Sequence, residues 1–255
     1  MPQQFTLPIL LILFAGGFMA GFVDSIAGGG GIISLPILLS VGLPPHFALG
    51  TNKFQSSFGS LMASINYYRG GLVQVKKLGW GIIFTAIGAT IGTLAIQQLS
   101  QELLQYLIPV LLLIVFFIVL ISKNLGMKDE EGKLNPNLFF LIFGLLLGFY
   151  DGFFGPGTGN FWMLAFVFLL GFNLRKATAH TKWVNFTSNI VSLIFFAIGG
   201  KILIIPGLAM AAGQLSGAFL GSKLVLRSGA RFIRAFFLVV TAATIIRLIY
   251  TTFIQ

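Results

Sequence analysis

Cysteine is absent from the chain, which excludes disulfides, iron–sulfur clusters and thiol catalysis. Histidine occurs only twice, acidic residues only six times, and no His-Glu-x-x-His is present, so a catalytic metal is not expected. There is no Gly-x-x-x-x-Gly-Lys-Ser/Thr, so the chain does not hydrolyse ATP through a phosphate loop. Charge of either sign is scarce, at 9% of residues. Met1 to Phe14 lacks the basic n-region and small-x-small site of a cleaved signal peptide, and reads as the start of a retained first helix. No cofactor is expected.

Apolar sequence fills the space. Of 255 residues 56% are hydrophobic, and the mean hydropathy is +0.96. Apolar runs repeat from end to end, which implies an all-α polytopic membrane protein with no room for a soluble domain. The formal charge of +10 raises the question of nucleic acid. The basic residues sit in short loops beside apolar spans, where the positive-inside rule accounts for them without such a partner. The expected partners are the lipid bilayer and a small anionic substrate; the oligomeric state, a homodimer included, is left open. The 28 phenylalanines read as lipid-facing and core filler.

Ten apolar segments can be marked, at about 6–23, 26–42, 47–68, 78–98, 103–122, 137–150, 157–172, 177–198, 202–222 and 231–253. A hydrophilic linker, 123–136, divides them into a first membrane repeat, 1–122, and a second, 137–255. The halves echo each other. Gly17, Gly21 and Asp24 match Gly144, Gly148 and Asp151, and Ala48 to Lys53 matches Ala177 to Lys182 after a two-residue shift. Gly70-Gly71 then matches Gly199-Gly200, and Gly88-x-x-x-Gly92 matches Gly213-x-x-x-Gly217. Four matches in the same order indicate an internal duplication. The glycine ridges also let helices pack closely.

Loop charge bears on topology. If all ten segments cross, one side collects Arg69, Lys76, Lys77, Lys123, Lys128, Lys133, Arg175, Lys176, Lys223, Arg227, Arg231 and Arg234, against Lys201 on the other. If the short second and seventh segments merely re-enter, leaving eight spans, the same loops divide almost evenly and orientation loses its signal. Ten crossings are therefore expected. Five per half is odd, so the second half lies inverted relative to the first, as in many secondary transporters.

Two polar, glycine-filled interruptions stand inside this apolar sequence, Asp24 to Gly31 and Tyr150 to Asn160. At membrane depth such a break survives only where protein or an aqueous cavity covers it. After each break a helix begins, with unpaired N–H groups and about half a positive charge from the macrodipole. Gly29, Gly30 and Gly31, with Gly157, Thr158 and Gly159, are the candidate anion cradles. A flexible hairpin would need the same glycines. Asp24 and Asp151 could cap the following helix, titrate as coupling groups or hold a cation.

Segments three and eight each carry a polar stripe, Lys53, Ser56, Ser57, Ser60 and Ser64 on one and Lys182, Asn185, Asn189 and Ser192 on the other. Interhelical hydrogen bonding would explain the serines. Each lysine lies about seven residues into its helix, roughly 10 Å deep, so snorkelling is a poor explanation. An uncompensated lysine there costs at least about 2.5 kcal/mol. Something must offset it, either Asp24 and Asp151 or the substrate. Thr51, Asn52, Gln55, Thr181 and Asn185 are neighbours able to read oxyanion oxygens, and His180 is either a proton carrier or a hydrogen-bonded core histidine.

The paired motifs Gly21 to Gly31, Thr51-Asn52-Lys53, Gly148 to Pro156 and Lys176 to His180 closely resemble the TauE/SafE sulfite-exporter family, in particular its YfcA-like branch. The resemblance covers nearly the whole chain. It implies a bacterial inner-membrane permease for small sulfur-containing anions such as sulfite, sulfoacetate or organosulfonates. It also implies about eight spans from duplicated halves, against the ten favoured by charge. On the residues, the expectation is a secondary anion transporter working by alternating access, with Lys53 and Lys182 holding the anion and Asp24, Asp151 and His180 as candidates for proton coupling. The rivals are a cation transporter using the two aspartates, which the lysines oppose, and a membrane-embedded enzyme using His180 with a nearby hydroxyl. The enzyme is not expected.

Overall fold

A computed structural model describes residues 5–108, 110–111, 128–228, 232 and 235. The expected fifth and tenth segments fall largely outside these residues, as does part of the linker. The described α-helices are α1 (Leu7–Ala27), α2 (Gly30–Ser40), α3 (Pro45–Arg69), α4 (Gly79–Gln98), α5 (Pro136–Phe153), α6 (Thr158–Leu170), α7 (Leu174–Ile198) and α8 (Ile204–Arg227). A short 3-10 turn, Val75–Leu78, precedes α4, and residues 101–108 are helical. There is no strand among the described residues. The elements begin where local chemistry allows. Pro45 and Pro136 stand in the first turns of α3 and α5, where a missing N–H costs nothing. The side chains of Asn135 and Asn173 accept from Asn137 N and Lys176 N, each at 2.9 Å, capping α5 and α7.

Two expectations are corrected by the helix bounds. The first interruption was expected to open at Asp24, but α1 continues to Ala27 and breaks only at Gly28 and Gly29, with φ of 79° and 83°. Nothing in Ser25-Ile26-Ala27 disfavours a helix, whereas a left-handed turn needs glycine. Likewise α5 runs to Phe153, so Asp24 and Asp151 lie in the last turns of the entering helices rather than at the starts of the next. The short segments are shorter than expected. The 11 residues of α2 and 13 of α6 reach only about 16 and 20 Å at 1.5 Å per residue.

Among the described residues, four helical stretches are long and apolar enough to cross a membrane: Leu7–Ala27, Val75–Gln98, Pro136–Phe153 and Ile204–Arg227. Helices α3 and α7 have 25 residues each, about 37 Å, but carry the polar stripes. These two form the centre. Helix α1 packs on α8 and α4 on α5, while α3 touches α7 and α8 and α7 touches α4.

Residue pairings give the directions. Gly17 meets Met210, Gly21 meets Gln214 and Gly221 meets Phe22, so α1 and α8 run together. Gly207 meets Phe54, Gly59 meets Gln214 and Gly70 meets Leu226, so α3 shares their direction. Gly148 with Thr85 and Gly152 with Ala89 make α4 and α5 parallel, and α7 joins them through Ser192 with Thr93 and Gly199 with Gln97. The two sets oppose each other: along α3 and α7, Gly50 meets Phe196, Ser60 meets Asn189 and Tyr68 meets Trp183. Helix α2 returns against α1, with Gly30 beside Asp24 and Ile37 beside Gly16.

The ends differ in charge. Gly70 packs on Leu226, and Arg175 donates to Leu226 O at 2.5 Å, so Arg69, Arg175 and Arg227 share one end. The linker joins them there, since Glu130 N donates to Gly171 O and Lys133 N to Leu169 O, both at 2.8 Å. Lys201 packs against Gly50, its ammonium 5.5 Å from the Phe47 ring. That is the opposite end of α3, about 28 Å away.

Candidate functional site

The two breaks meet. A Cβ on Gly28 would lie 2.7 Å from the carbonyl carbon of Gly159, and one on Gly31 would lie 3.0 Å from Pro156 Cα. Backbone therefore touches backbone where side chains would keep the segments apart. The second break is tied by Tyr150, whose hydroxyl donates to Pro156 O at 2.7 Å.

Each break hides most of its polar backbone. At the first, Gly30 N donates to Asp24 Oδ1 at 3.1 Å and Ile32 N to Gly29 O at 2.9 Å. At the second, Thr158 N and Asn160 N donate to Gly155 O and Gly157 O, at 3.1 and 2.9 Å. Among the first N–H groups of α2 and α6 that lack an intrahelical partner, those of Gly31 and Gly159 have no acceptor among the described residues. Asp24 thus caps α2 from the preceding helix, whereas Asp151 makes no such bond to α6.

The lysines are already neutralised. Lys53 Nζ donates to Asp151 Oδ1 at 2.6 Å and to Asp151 O at 2.5 Å. Lys182 Nζ donates to Asp24 Oδ2 at 2.9 Å. Each lysine of one half therefore pairs with the aspartate of the other. Of the two agents able to offset a lysine at this depth, the aspartates are present. The pairs differ in enclosure. The side chains of Lys53 and Asp151 are 2% and 5% exposed, those of Lys182 and Asp24 0% and 16%. Ser188 adds a hydrogen bond to Asp151 Oδ2.

Between the breaks lies a small hollow, about 360 Å³ when the open space at its mouth is included. Of the residues singled out in the sequence, Asp24, Lys53, Asp151, Asn52, Asn185 and Asn189 line it. So do Gly29, Gly30 and Gly31 of one break and Gly157, Thr158 and Gly159 of the other. Lys182 stands behind Asp24 and does not line it. Thr51 Oγ1 accepts from Leu203 N at 3.1 Å, a structural bond holding the start of α8. Gln55 donates to Asn52 Oδ1 and to Ser56 Oγ, both at 2.9 Å, from behind the lining. The Thr181 hydroxyl is buried with no hydrogen-bond partner. His180 is also outside the hollow, with Nδ1 2.8 Å from Lys176 O and its ring packed against the stacked pair Phe166 and Phe172.

Two further side chains bear on the site. Ser34 donates to Asn52 Oδ1 at 2.5 Å, so the Asn52 oxygen is held by both Ser34 and Gln55. Ser188 stands one residue from Asn189 on the α7 stripe, but its counterpart in the first half is Gly59, so comparing the repeats hides it.

The family described as sulfite exporter TauE/SafE matches residues 13–248. A probable membrane transporter protein of Haemophilus influenzae is 43% identical over 95% of this chain and 95% of its own. The probable membrane transporter protein YfcA of Escherichia coli K12 is 42% identical over 95% of this chain and 91% of its own. One from Sinorhizobium, ORF9, is 42% identical over 97% and 95%. These relatives are described as transporters and not as enzymes. No solved structure matches the chain. With the match spanning both halves, both breaks and both lysine helices, the chain belongs to the TauE/SafE sulfite exporter family of multi-pass membrane proteins.

Proposed function

We propose that the chain is a secondary transporter of small sulfur-containing anions, such as sulfite, sulfoacetate or organosulfonates, in the bacterial inner membrane. One observation carries this reading: a hollow at the meeting of two helix breaks, lined by Lys53, Gly31, Gly159, Asn52 and Asn185, residues that carry ammonium, backbone N–H and amide donors. These are the donors an oxyanion requires, placed where water is scarce and each is worth more. The reciprocal pairs Lys53–Asp151 and Lys182–Asp24 tie the halves together and give an entering anion a contact to displace.

The halves form an inverted repeat of five segments each. Opposed directions in α3 and α7, and the exchange of α1 on α8 for α5 on α4, are what a two-fold axis in the membrane plane would produce. The shared direction of α1 and α3 requires α2 to carry the chain back, which favours ten alternating segments over eight. Alternating access then follows as one half moves against the other, breaking one ion pair at a time. Asp24, the more exposed carboxylate in the hollow, is the best placed group for proton coupling. The cation alternative is disfavoured because both aspartates are engaged by lysines.

Flux of sulfite and sulfoacetate into proteoliposomes tests the reading. Transport is expected for the wild type and loss for Lys53→Ala. Wild-type liposomes that carry neither anion faster than protein-free ones would overturn it.

A further inference from the structure

The long helices form two parallel sets, α1, α3 and α8 against α4, α5 and α7, and each set includes one helix from the other half of the chain. Each set also holds one break. Away from the central ion pairs, a polar side chain crosses between the sets at either end of the molecule. At the Lys201 end, His46 in the first turn of α3 donates from Nε2 to Ile96 O, in the last turn of α4, at 3.3 Å. At the arginine end, Arg175 in the first turn of α7 donates to Leu226 O, in the last turn of α8, at 2.5 Å.

The register that matches Lys53 with Lys182 also matches His46 with Arg175. The two bonds are therefore one contact made twice, once by each half. The acceptors suit the role, because the last carbonyls of a helix lack intrahelical donors and carry the negative end of its dipole. Neither side chain lines the hollow, so each bears on access to it and not on what it holds.

We infer that His46 and Arg175 are paired latches between the two helix sets, one at each face of the membrane, and that releasing one at a time opens the hollow to one side. The inference rests on the alternating-access reading and assigns its two gates. By the positive-inside rule the arginine end is cytoplasmic, so Arg175 is the inner latch and His46 the outer. Both are closed here.

Because the chain has no cysteine, one reporter thiol reads access. Ser56 lines the hollow and belongs to neither latch. In the full-length Ser56→Cys chain, labelling by a membrane-impermeant maleimide is timed in right-side-out and in inverted membrane vesicles. Loss of an ordinary hydrogen bond shifts an equilibrium about two- to tenfold, and loss of a charge-assisted one about tenfold or more. Adding His46→Ala is expected to raise the labelling rate by the first factor in right-side-out vesicles only. Adding Arg175→Ala is expected to raise it by the second in inverted vesicles only. His46→Gln and Arg175→Lys, which keep a donor, should label like the parent. Where an alanine variant fails to fold, His46→Leu or Arg175→Met removes the same donor while filling the space. Both losses acting on the same side, or neither changing the rate, would overturn the latches. Labelling needs no transported anion, so an absence of sulfite flux would overturn the sulfur-anion reading and leave this result standing.

Discussion

Gly28 and Gly159, 131 positions apart in the sequence, lie in direct backbone contact, so close that neither has space for a methyl group. The two half-structures therefore meet at their helix breaks through backbone, with the Asn160 side chain packed beside Gly28 and Gly29. Movement of one break must displace the other.

Gly159→Ala tests that contact without backbone strain, because Gly159 is not among the glycines with positive φ. Its Cβ would lie 3.0 Å from Gly28 Cα and 3.0 Å from Asn185 Nδ2, so one break must yield by a few tenths of an ångström. The expected result is a folded protein, with a melting temperature lowered by a few degrees and strongly reduced flux. Unchanged flux in proteoliposomes would show that the breaks move independently.

Removing one member of the more enclosed ion pair strands a buried charge, which costs roughly 3–5 kcal/mol. Lys53→Met should therefore destabilise strongly, and Lys53→Met with Asp151→Asn should recover much of the loss without recovering transport. Lys182→Met should cost less, since Asp24 is 16% exposed and keeps the Gly30 N–H. A double-mutant cycle read by thermal unfolding measures both couplings. Equal costs for the two lysines would contradict the asymmetry seen here.

The glycine ridges can be weighed against an internal control. A Cβ at Gly217 would lie 2.1 Å from Phe18 O, and one at Gly92 would lie 2.1 Å from Phe149 O. Alanine normally stabilises a helix by up to about 1 kcal/mol over glycine, so a net loss reports the overlap, of about 1–3 kcal/mol. Gly217→Ala and Gly92→Ala should both lower the melting temperature. Gly79→Ala, with nothing within 4 Å, should leave it unchanged or raise it.

Much of this was legible in the sequence, and the exceptions have physical causes. The two lysine-bearing helices could be read because buried charge is rare enough to stand out in apolar sequence. The partners of the lysines could not be assigned. Asp151 and Asp24 were the right residue type, but pairing across halves depends on the crossing of α3 and α7, which no local pattern encodes. His180 attracted attention because titratable groups near a lysine are scarce; in the structure it lies outside the hollow, against the stacked rings of Phe166 and Phe172. His180→Phe should accordingly keep flux and its response to a pH gradient, with any change confined to stability. Loss of that response would restore the proton role to His180.

The absence of cysteine makes the orientation of the chain directly measurable. Lys133 is exposed on the linker that is hydrogen-bonded to the α6–α7 connection, at the end that also carries Arg69, Arg175 and Arg227. Lys201 is at the other end, beside Gly50 and Phe47. Basic loops stay in the cytoplasm, so the linker end should face inward and Lys201 outward. In intact cells a membrane-impermeant maleimide should label Lys201→Cys, and should reach Lys133→Cys only after permeabilisation. No background thiol confuses the assay, because the wild type has none. Both sites labelled from outside would contradict α3 spanning the bilayer between them. The reverse pattern would keep the span but place the charge-rich face outside, and the positive-inside argument for ten segments would fail with it.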